Sequence, residues 1–303
     1  MTLFLAMLLD AAAGEPRWLW DRVPHPAVIM GKLVGWADEM FNTPGMGRAK
    51  GVVTLLGLIL VALVLGLILR AIPGQIIDLI VLAILLAQRS LSDHVRAVAN
   101  GLRDSLTAGR AAVAMIVGRD TAEMTEPDVA RAAIESAAEN LSDGVIAPIF
   151  WFVVAGLPGL LIYKIVNTAD SMIGYRTPRH RDFGWAAARC DDLLNLIPAR
   201  LTALLILIAT MRLDVWEGVM DDAPLHRSPN AGWPEAAAAY ALNVALSGPR
   251  TYDGTRVDYP FVNSNGIHDL GPTHVDEVVM LLWKTWGLTL ATAALGVLAW
   301  WIT

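Results

Sequence analysis

The stretch RAAIESAAENLSDGVIAPIFWFVVAGLPGLLIYKIVNTADSMIGY, residues 131–175, joins an acidic helical segment to a long uncharged run and a second polar segment. Glu135, Glu139 and Asp143 are spaced four residues apart, so on a helix they lie on one side. Three carboxylates on one stripe repel one another unless water, a cation or a basic ligand covers them. The pattern therefore predicts polar chemistry next to a membrane-embedded segment.

The uncharged run 144–163 has two interpretations. It either crosses the membrane once or folds back at Gly156–Gly159 as a hairpin too short to span. Asn167 and Asp170 follow the run at helical spacing, and a fold-back would bring Asp170 to the same face as Asp143. We expect the fold-back, because the polar clusters at both ends resemble parts of one site. Backbone broken at membrane depth requires cover from protein or water.

The composition is that of a membrane protein. The 303 residues are 55% hydrophobic and only 17% charged, against about 25% charged in soluble domains. The net charge of -6 provides no basic patch on the scale of nucleic-acid binding, so we expect no nucleic-acid partner. The single cysteine, Cys190, excludes an intrachain disulfide framework and a cysteine-based zinc site.

The apolar segments predict an all-α, polytopic helical membrane protein that forms one multi-pass domain over residues 1–303. The segments at 51–69 and 75–87 resemble a helical hairpin. Its flanks are rich in Lys and Arg while its turn carries only Arg70, which places both flanks in the cytoplasm by the positive-inside rule. We therefore expect a cell (inner) membrane protein with a cytoplasmic active site. The predicted membrane segments are 2–13, 51–69, 75–87, 144–163, 193–211 and 285–303, and the extramembrane helical regions are 88–142 and 212–277.

The acidic residues of this chain are candidate ligands of Mg²⁺. Magnesium prefers a few carboxylates together with substrate phosphates. The alternative is a network of salt bridges that only holds the helices together. Asp191-Asp192-Leu-Leu-Asn195 is also similar to the aspartate-rich diphosphate motifs of membrane prenyltransferases, although two acids and an Asn recur easily. The candidate metal ligands are Glu135, Glu139, Asp143, Asp170, Asp191 and Asp192.

Basic side chains are interleaved with these acids. Arginines can hold phosphate or carboxylate in bidentate fashion, and an arginine inside a membrane segment needs an anionic partner. His25 lies between Pro24 and Pro26, which fix an extended backbone on both sides, so it is either a positioned imidazole or a surface residue on a rigid connector. The candidate anion-binding arginines are Arg176, Arg179, Arg181, Arg200 and Arg227.

Five ordered motifs cover nearly the whole chain: LDAAAGEP, PHPAVIMG, AAIESAAENLSDGVIAPIFW, YKIVNTADSMIGYRTPRHRDFGWAAARCDDLLNLIPARLTA and HRSPNAGWPEAAAA. With these motifs the chain resembles the adenosylcobinamide-phosphate synthase family of cobalamin biosynthesis, the CbiB/CobD type. Glu15 stands where the family pattern leads us to expect Asp.

The resemblance implies an ATP- and Mg²⁺-dependent ligase. It would join (R)-1-aminopropan-2-ol, either free or as its phosphate, to a propionate carboxylate of adenosylcobyric acid, and the exact amine stays open. We expect His25, Glu139, Asp170 and Arg200 to be catalytic, with His25 as the base. The residues that we expect to bind substrate or phosphate are Lys164, Asn167, Arg176, Arg179, His226, Arg227 and Asn230.

Two rival functions and the assembly state stay open at this point. One rival is a membrane prenyl- or phosphotransferase that uses the Asp191–Asn195 segment with Mg²⁺ and a diphosphate. The other is a non-catalytic corrinoid-binding membrane protein or transporter. Membrane lipid is an expected partner, and the pathway suggests a homo-oligomer or a complex with other membrane corrinoid enzymes.

Overall fold

The computed structural model describes residues 1–252, 255–257 and 259–302, and it confirms the predicted all-α class. The first part of the chain forms α1 (Thr2–Ala13), α2 (Arg17–Trp20), α3 (Pro26–Phe41), α4 (Gly47–Arg70), α5 (Ile76–Leu85), α6 (Gln88–Asp104), α7 (Leu106–Val113) and α8 (Glu126–Leu141). A π-helical turn, Ser142–Ile146, leads into α9 (Ala147–Ile173), α10 (Trp185–Leu194), α11 (Leu196–Ala209), α12 (Trp216–Asp222), α13 (Gly232–Leu242) and α14 (Pro272–Ile302).

Strand structure is confined to short pairs in the water-compatible region before α14. The strands are β1 (Leu246–Ser247), β2 (Arg250–Tyr252), β3 (Thr255–Val257) and β4 (Phe261–Val262). β1 pairs antiparallel with β4, and β2 with β3. These pairs tie a long connection together without forming a layer of the fold.

The chain groups into two compact units, whereas the sequence predicts a single domain. The first unit comprises Met1–Ala87 and Asp143–Leu196, and the second comprises Gln88–Ser142 and Ile197–Thr303. The boundary after Ala87 falls just after α5 ends, and the boundary after Ser142 falls inside the π-helical turn. Helical geometry changes at both places.

Helices with the length and apolar composition of membrane spans occur in both units. Within the described residues, three helical runs are long and apolar enough to cross a membrane: Gly47–Arg70, Glu126–Ile173 and Pro272–Leu298. A fourth is reached if α10 and α11 count together as one broken span. The predicted spans at 51–69 and 285–303 therefore lie within longer helices, and the last predicted residue, Thr303, lies outside the described residues.

Two predicted membrane segments are shorter than a bilayer. α1 has 12 residues and α5 has 10, which at 1.5 Å per residue gives roughly 18 and 15 Å, against about 30 Å of hydrocarbon. The hydroxyl of Thr2 donates to Oε1 of Gln75 over 2.6 Å. The starts of the two short helices are thus joined.

The run Glu126–Ile173 is not one straight rod, because the chain reverses at Gly156. The Tyr163 hydroxyl donates to the backbone carbonyl of Asp143 over 3.1 Å, although 20 residues of straight helix would separate them by roughly 30 Å. Gly156 has φ 63° and ψ -152°, a conformation essentially restricted to glycine. The predicted fold-back is confirmed.

The reversal packs against α4. A Cβ on Gly66 would lie 2.6 Å from Cα of Pro158, and a Cβ on Gly51 would lie 1.9 Å from the carbonyl oxygen of Phe183. Gly51 and Gly66 are roughly 22 Å apart along α4 at 1.5 Å per residue. Two glycines of this candidate membrane span therefore allow close backbone contact, Gly66 with the tip of the hairpin and Gly51 with the loop before α10.

Gly66→Ala should destabilise the first unit, because the added methyl group meets the Pro158 backbone at less than contact distance. Overpacking of this kind costs about 1–3 kcal/mol. Gly57→Ala on the same helix is the control, since a Cβ there meets nothing within 4 Å. Thermal unfolding in detergent should show a lower midpoint for the first variant only. Equal midpoints for both variants would contradict the close packing of the hairpin on α4.

Candidate functional site

In the first unit, the fold-back gathers polar side chains into what we name the central cluster: Asp143, Tyr163, Lys164, Asn167 and Asp191, with Glu15 and Asn195 at its margin. The Asn167 amide donates to Oδ1 of Asp191 over 3.2 Å and to Oδ2 of Asp143 over 3.4 Å. One amide thus links the carboxylates at the two ends of the predicted site.

Asp191 is held by two amides. Asn195 Nδ2 donates to its second oxygen, Oδ2, over 3.0 Å. The buried Tyr163 hydroxyl reaches Oδ1 of Asn195 over 3.1 Å as well as the Asp143 backbone. Both Asp191 oxygens are therefore engaged by protein donors, and the network fixes α9 against α10.

Lys164 is the cation of the central cluster. It is partly buried and interacts electrostatically with Asp143 and Glu15. Among the described residues its ammonium forms no hydrogen bond or ion pair at contact distance. An ammonium set among carboxylates without a direct partner is suited to bind a further anion, such as a phosphate or carboxylate of a substrate.

Two interruptions of helical geometry meet at this cluster. The chain leaves α5 in extended conformation at Leu86, and the Ala87 amide donates to the carbonyl of Gly144 over 3.1 Å. Gly144 lies in the π-helical turn, a feature common at functional sites. This hydrogen bond pairs one polar backbone group of each interruption with a group of the other. Irregular backbone inside a membrane protein requires such pairing.

His25 caps a helix in this structure. Its Nδ1 accepts from the Ala27 amide over 3.2 Å at the start of α3, and the ring is hydrogen-bonded to the backbone of Ile84. Burial lowers the pKa of His25, and the positive charge of Lys164 acts in the same direction, against the Glu15 carboxylate and the Ile84 bond. The imidazole is therefore neutral near pH 7, but its lone pair is used by the cap. A role as base stays a prediction that competes with this cap.

The second unit contains a separate polar cluster centred on Arg200, which we name the arginine cluster. The Arg200 guanidinium lies 4.7 Å from the Trp233 ring centroid and donates to Oδ1 of Asn230 over 3.2 Å. Nε2 of His226 lies 3.6 Å from the buried carboxylate of Glu235. Stacking and hydrogen bonding hold this guanidinium in a fixed orientation, and a positioned guanidinium is the group that proteins often use to bind phosphate or carboxylate.

Glu135 is bound by protein groups. Its buried carboxylate pairs with Arg119 over 2.8 Å and accepts from the Ser247 amide over 2.7 Å. These contacts anchor Arg119 and the strand β1 to α8. Glu139, one turn further on, is exposed. The members of the predicted acidic stripe therefore lie in different environments.

The other predicted residues lie at several places. Arg179 pairs with Asp38 over 2.7 Å and Asp192 with Arg189 over 3.0 Å, while Asp170 accepts the Gly174 amide through its backbone carbonyl. Arg176 and Arg181 are exposed, and Arg227 lies 5.2 Å from the Tyr259 ring centroid. Of the first unit's predicted residues, the structure brings together Asp143, Lys164, Asn167 and Asp191.

A metal cage made by protein alone is not present among the described residues, where no three His, Cys, Asp or Glu side chains group closely enough to hold an ion. Glu135 and Asp191 fit a metal least, because both oxygens of each accept protein hydrogen bonds. Asp143 fits better, beside Lys164 and Asn167. One carboxylate with substrate phosphates is a common way to hold Mg²⁺.

Sequence reasoning missed three residues that shape these clusters: Tyr163, Trp233 and Asp38. Tyr163 ends an uncharged run, and a phenol that is wholly buried needs a hydrogen-bond partner, which was a usable signal. Trp233 and Asp38 gave none, because their partners, Arg200 and Arg179, are remote in sequence.

Comparison with known proteins agrees with the motifs and the helical architecture. A protein-family model described as CobD/Cbib protein matches residues 3–282. The chain belongs to the CobD/CbiB family. No solved structure matches it.

Three relatives, each named cobalamin biosynthesis protein CobD, show how far the similarity extends. The protein of Brucella suis biovar 1 (strain 1330) is 46% identical over 318 residues, which cover 98% of this chain and 97% of the relative. The protein of Rhizobium meliloti (strain 1021) is 50% identical over 284 residues, which cover 88% of this chain and 87% of the relative. The protein of Rhodobacter capsulatus is 47% identical over 267 residues, which cover 86% of this chain and 85% of the relative.

His25→Asn should keep the cap while it removes the titration, since Asn is a preferred N-cap residue. Because the folded-state pKa of His25 lies below its ordinary value of 6.5, the unfolded chain binds more protons as the pH falls. Wild-type stability therefore falls as the pH drops below about 6.5, to the extent set by this histidine. Unfolding midpoints at pH 7 and pH 5 should differ less for His25→Asn than for wild type.

His25→Ala provides the comparison, because it removes both the cap and the titration. It should be about 1 kcal/mol less stable than His25→Asn at both pH values, because the two variants differ in the cap alone. If wild type and His25→Asn lose stability equally on acidification, the buried neutral imidazole is refuted.

Proposed function

We propose that this protein is an adenosylcobinamide-phosphate synthase of cobalamin biosynthesis. It would catalyse the ATP- and Mg²⁺-dependent amide ligation of (R)-1-aminopropan-2-ol phosphate to a propionate carboxylate of adenosylcobyric acid. Family membership over residues 3–282 carries this proposal. The central cluster adds chemical support, because it combines a cation for anionic substrates with a carboxylate suited to a magnesium–phosphate complex.

The reaction requires an activated carboxylate. A carboxylate is a poor acyl donor, so its oxygen takes the terminal phosphoryl group of ATP, which releases ADP. The amine nitrogen then attacks the acyl carbon, and phosphate leaves as the amide forms. Both steps concentrate negative charge on phosphoryl oxygens, which fixed cations stabilise in a site of low dielectric constant.

Within this proposal, Lys164 binds the transferring phosphoryl group or the propionate. Asn167 and Tyr163 keep Asp143 and Asp191 in place through the hydrogen bonds described above. Mg²⁺, when bound, would neutralise phosphate charge, and Asp143 is the carboxylate best placed to hold it. Glu139, Asp170 and Asp192 stay proposed ligands.

The arginine cluster supports binding of a second anionic group. Arg200, oriented by Trp233 and Asn230, would hold the phosphate of the amine substrate. His226 and Arg227 belong to the same proposal, as contacts to that substrate or to corrin side chains. The reaction would take place on the cytoplasmic side of the inner membrane, where ATP is available.

One assay separates this function from its rivals. The purified protein is incubated in lipid nanodiscs with adenosylcobyric acid, aminopropanol phosphate and Mg²⁺–ATP. We expect ADP and the condensed amide in equal amounts over many turnovers, and no amide and no sustained ADP release without the amine. Binding of cobyric acid without ADP release would favour a non-catalytic corrinoid protein. Turnover of a polyprenyl diphosphate without ATP would favour the transferase.

Lys164→Met should reduce amide formation by about a hundredfold or more, because a fixed donor to the charge of the transition state is lost. Lys32→Met is the matched control, since Lys32 is an exposed lysine of α3 in the same unit. Initial rates at saturating and limiting substrate measure the effect on kcat and KM. Wild-type rates for Lys164→Met in a folded protein would remove Lys164 from the site.

Asp143→Asn should raise the Mg²⁺ concentration required for half-maximal activity by at least about tenfold, a loss typical of weakened metal ligation. Asp170→Asn and Glu139→Gln test the other proposed ligands in the same titration. Glu135→Gln should lower the unfolding midpoint and leave the Mg²⁺ requirement unchanged. If all three ligand variants titrate like wild type, the metal assignment is wrong.

A further inference from the structure

An apolar groove lies where α3 ends and α4 begins. Its walls come from the last residues of α3, the connecting loop and the first turns of α4, and it encloses about 350 Å³. Met40, Phe41, Met46 and Val53 supply most of the apolar wall, and Lys50 stands among them. The groove belongs wholly to the first unit and is separate from the central cluster.

The position of the groove indicates a lipid environment. It opens at the first turns of α4, one of the helices apolar and long enough to cross a membrane. Val53 is 70% exposed and Met46 is 78% exposed, so other protein residues leave most of their apolar surface uncovered. Trp36 packs edge-to-face with Phe41, with ring centroids 5.7 Å apart, and aromatic residues of this kind are enriched at membrane interfaces.

Lys50 places a positive charge at this groove. Its ammonium donates to the Thr43 carbonyl over 3.2 Å, the Thr43 hydroxyl over 2.6 Å and the Pro44 carbonyl over 3.1 Å. All three acceptors are neutral, and no carboxylate in the described part of the chain lies within ion-pair distance of it. The charge is therefore fixed in position and is not neutralised by a neighbour.

A basic loop lies beside the same corner. The Asp38 carboxylate accepts from Arg179 and His180, while Asn42 donates to the Arg179 carbonyl over 3.1 Å. Burial acts to raise the pKa of Asp38, but the hydrogen bonds from Asn42, Arg179 and His180 outweigh it and hold that pKa below its ordinary value. The loop is thus anchored by an ionised carboxylate.

That anchored loop exposes Arg176 and Arg181, for which the described residues offer no ion pair. Arg48, at the start of α4, pairs with Asp182 of the same loop over 3.2 Å. The loop therefore lies next to the groove and adds positive charge that is not compensated locally. Basic clusters at the end of a membrane helix attract anionic lipids, with about 1 kcal/mol per basic residue.

From these observations we propose that the groove binds one anionic phospholipid of the surrounding membrane. Its acyl chain lies along Phe41, Met46 and Val53, and its phosphate lies at Lys50, in the positive field of the neighbouring loop. The apolar wall selects a lipid over a free phosphate or nucleotide, and the uncompensated lysine selects an anionic headgroup over a zwitterionic one. The proposal is independent of the proposed ligase activity.

The test measures lipid retention on the full chain in detergent. Dioleoyl phosphatidylglycerol and dioleoyl phosphatidylcholine are added in equal amounts, and native mass spectrometry counts the bound copies. Wild type should retain one phosphatidylglycerol in preference to phosphatidylcholine. Lys50→Gln should weaken phosphatidylglycerol binding by about fivefold, the equivalent of one basic residue at about 1 kcal/mol.

Two further variants keep the test decisive. Ala49→Phe fills the groove from α4 while it leaves Lys50 in place, and it should also lose the bound phosphatidylglycerol. Lys284→Gln removes an exposed lysine of the membrane helix α14 and should bind like wild type. Excess inorganic phosphate should not displace the lipid, because it cannot occupy the apolar wall.

Any of three results would overturn the proposal. Lys50→Gln could retain phosphatidylglycerol as wild type does, or both lipids could bind equally in wild type, which would leave only a neutral lipid contact. A dimer whose subunits stay joined after lipid removal, and separate in Ala49→Phe, would assign the groove to a second copy of the chain.

Discussion

Backbone that turns back at membrane depth must have its polar groups covered by protein, and the reversal at Gly156 meets this condition against α4. Glycine takes the backbone conformation that other residues avoid, and Gly66 lets Pro158 approach to backbone contact. The second arm of the hairpin then runs back beside the first. Without this reversal, Tyr163 and Lys164 would lie far from Asp143, and the central cluster would not form.

The cluster that results is built from side chains with different tasks. Asn167, Asn195 and Tyr163 use their hydrogen bonds to hold the carboxylates and the two helices that carry them. Lys164 is the member whose charge has no contact partner in the described chain, so it is the group that a substrate anion can meet. The Ala87 amide donates to the Gly144 carbonyl, so the irregular backbone at these two places keeps polar groups hydrogen-bonded next to the charges of the cluster.

The sequence was sufficient for features that depend on local pattern. The span over α4, the short first helix Thr2–Ala13 and the hairpin at Gly156 follow from apolar runs and turn residues. The partners of charged groups were not accessible in this way. Glu135 meets Ser247 across 112 residues and Arg179 meets Asp38 across 141, and no periodicity encodes such contacts. The hydrogen bonds that engage both oxygens of Glu135 and of Asp191 could therefore not be foreseen, and their role as metal ligands stays a prediction.

Chemical cross-linking tests the reversal most directly. Asp143→Cys and Asn167→Cys are introduced together in a Cys190→Ser background, and a short bifunctional thiol reagent is applied to the purified protein. The account predicts one intramolecular cross-link by intact mass, since these side chains approach to 3.4 Å, and none for Asp143→Cys with Val154→Cys. A straight helix would hold positions 143 and 167 roughly 36 Å apart, so two singly modified thiols and no cross-link would contradict it.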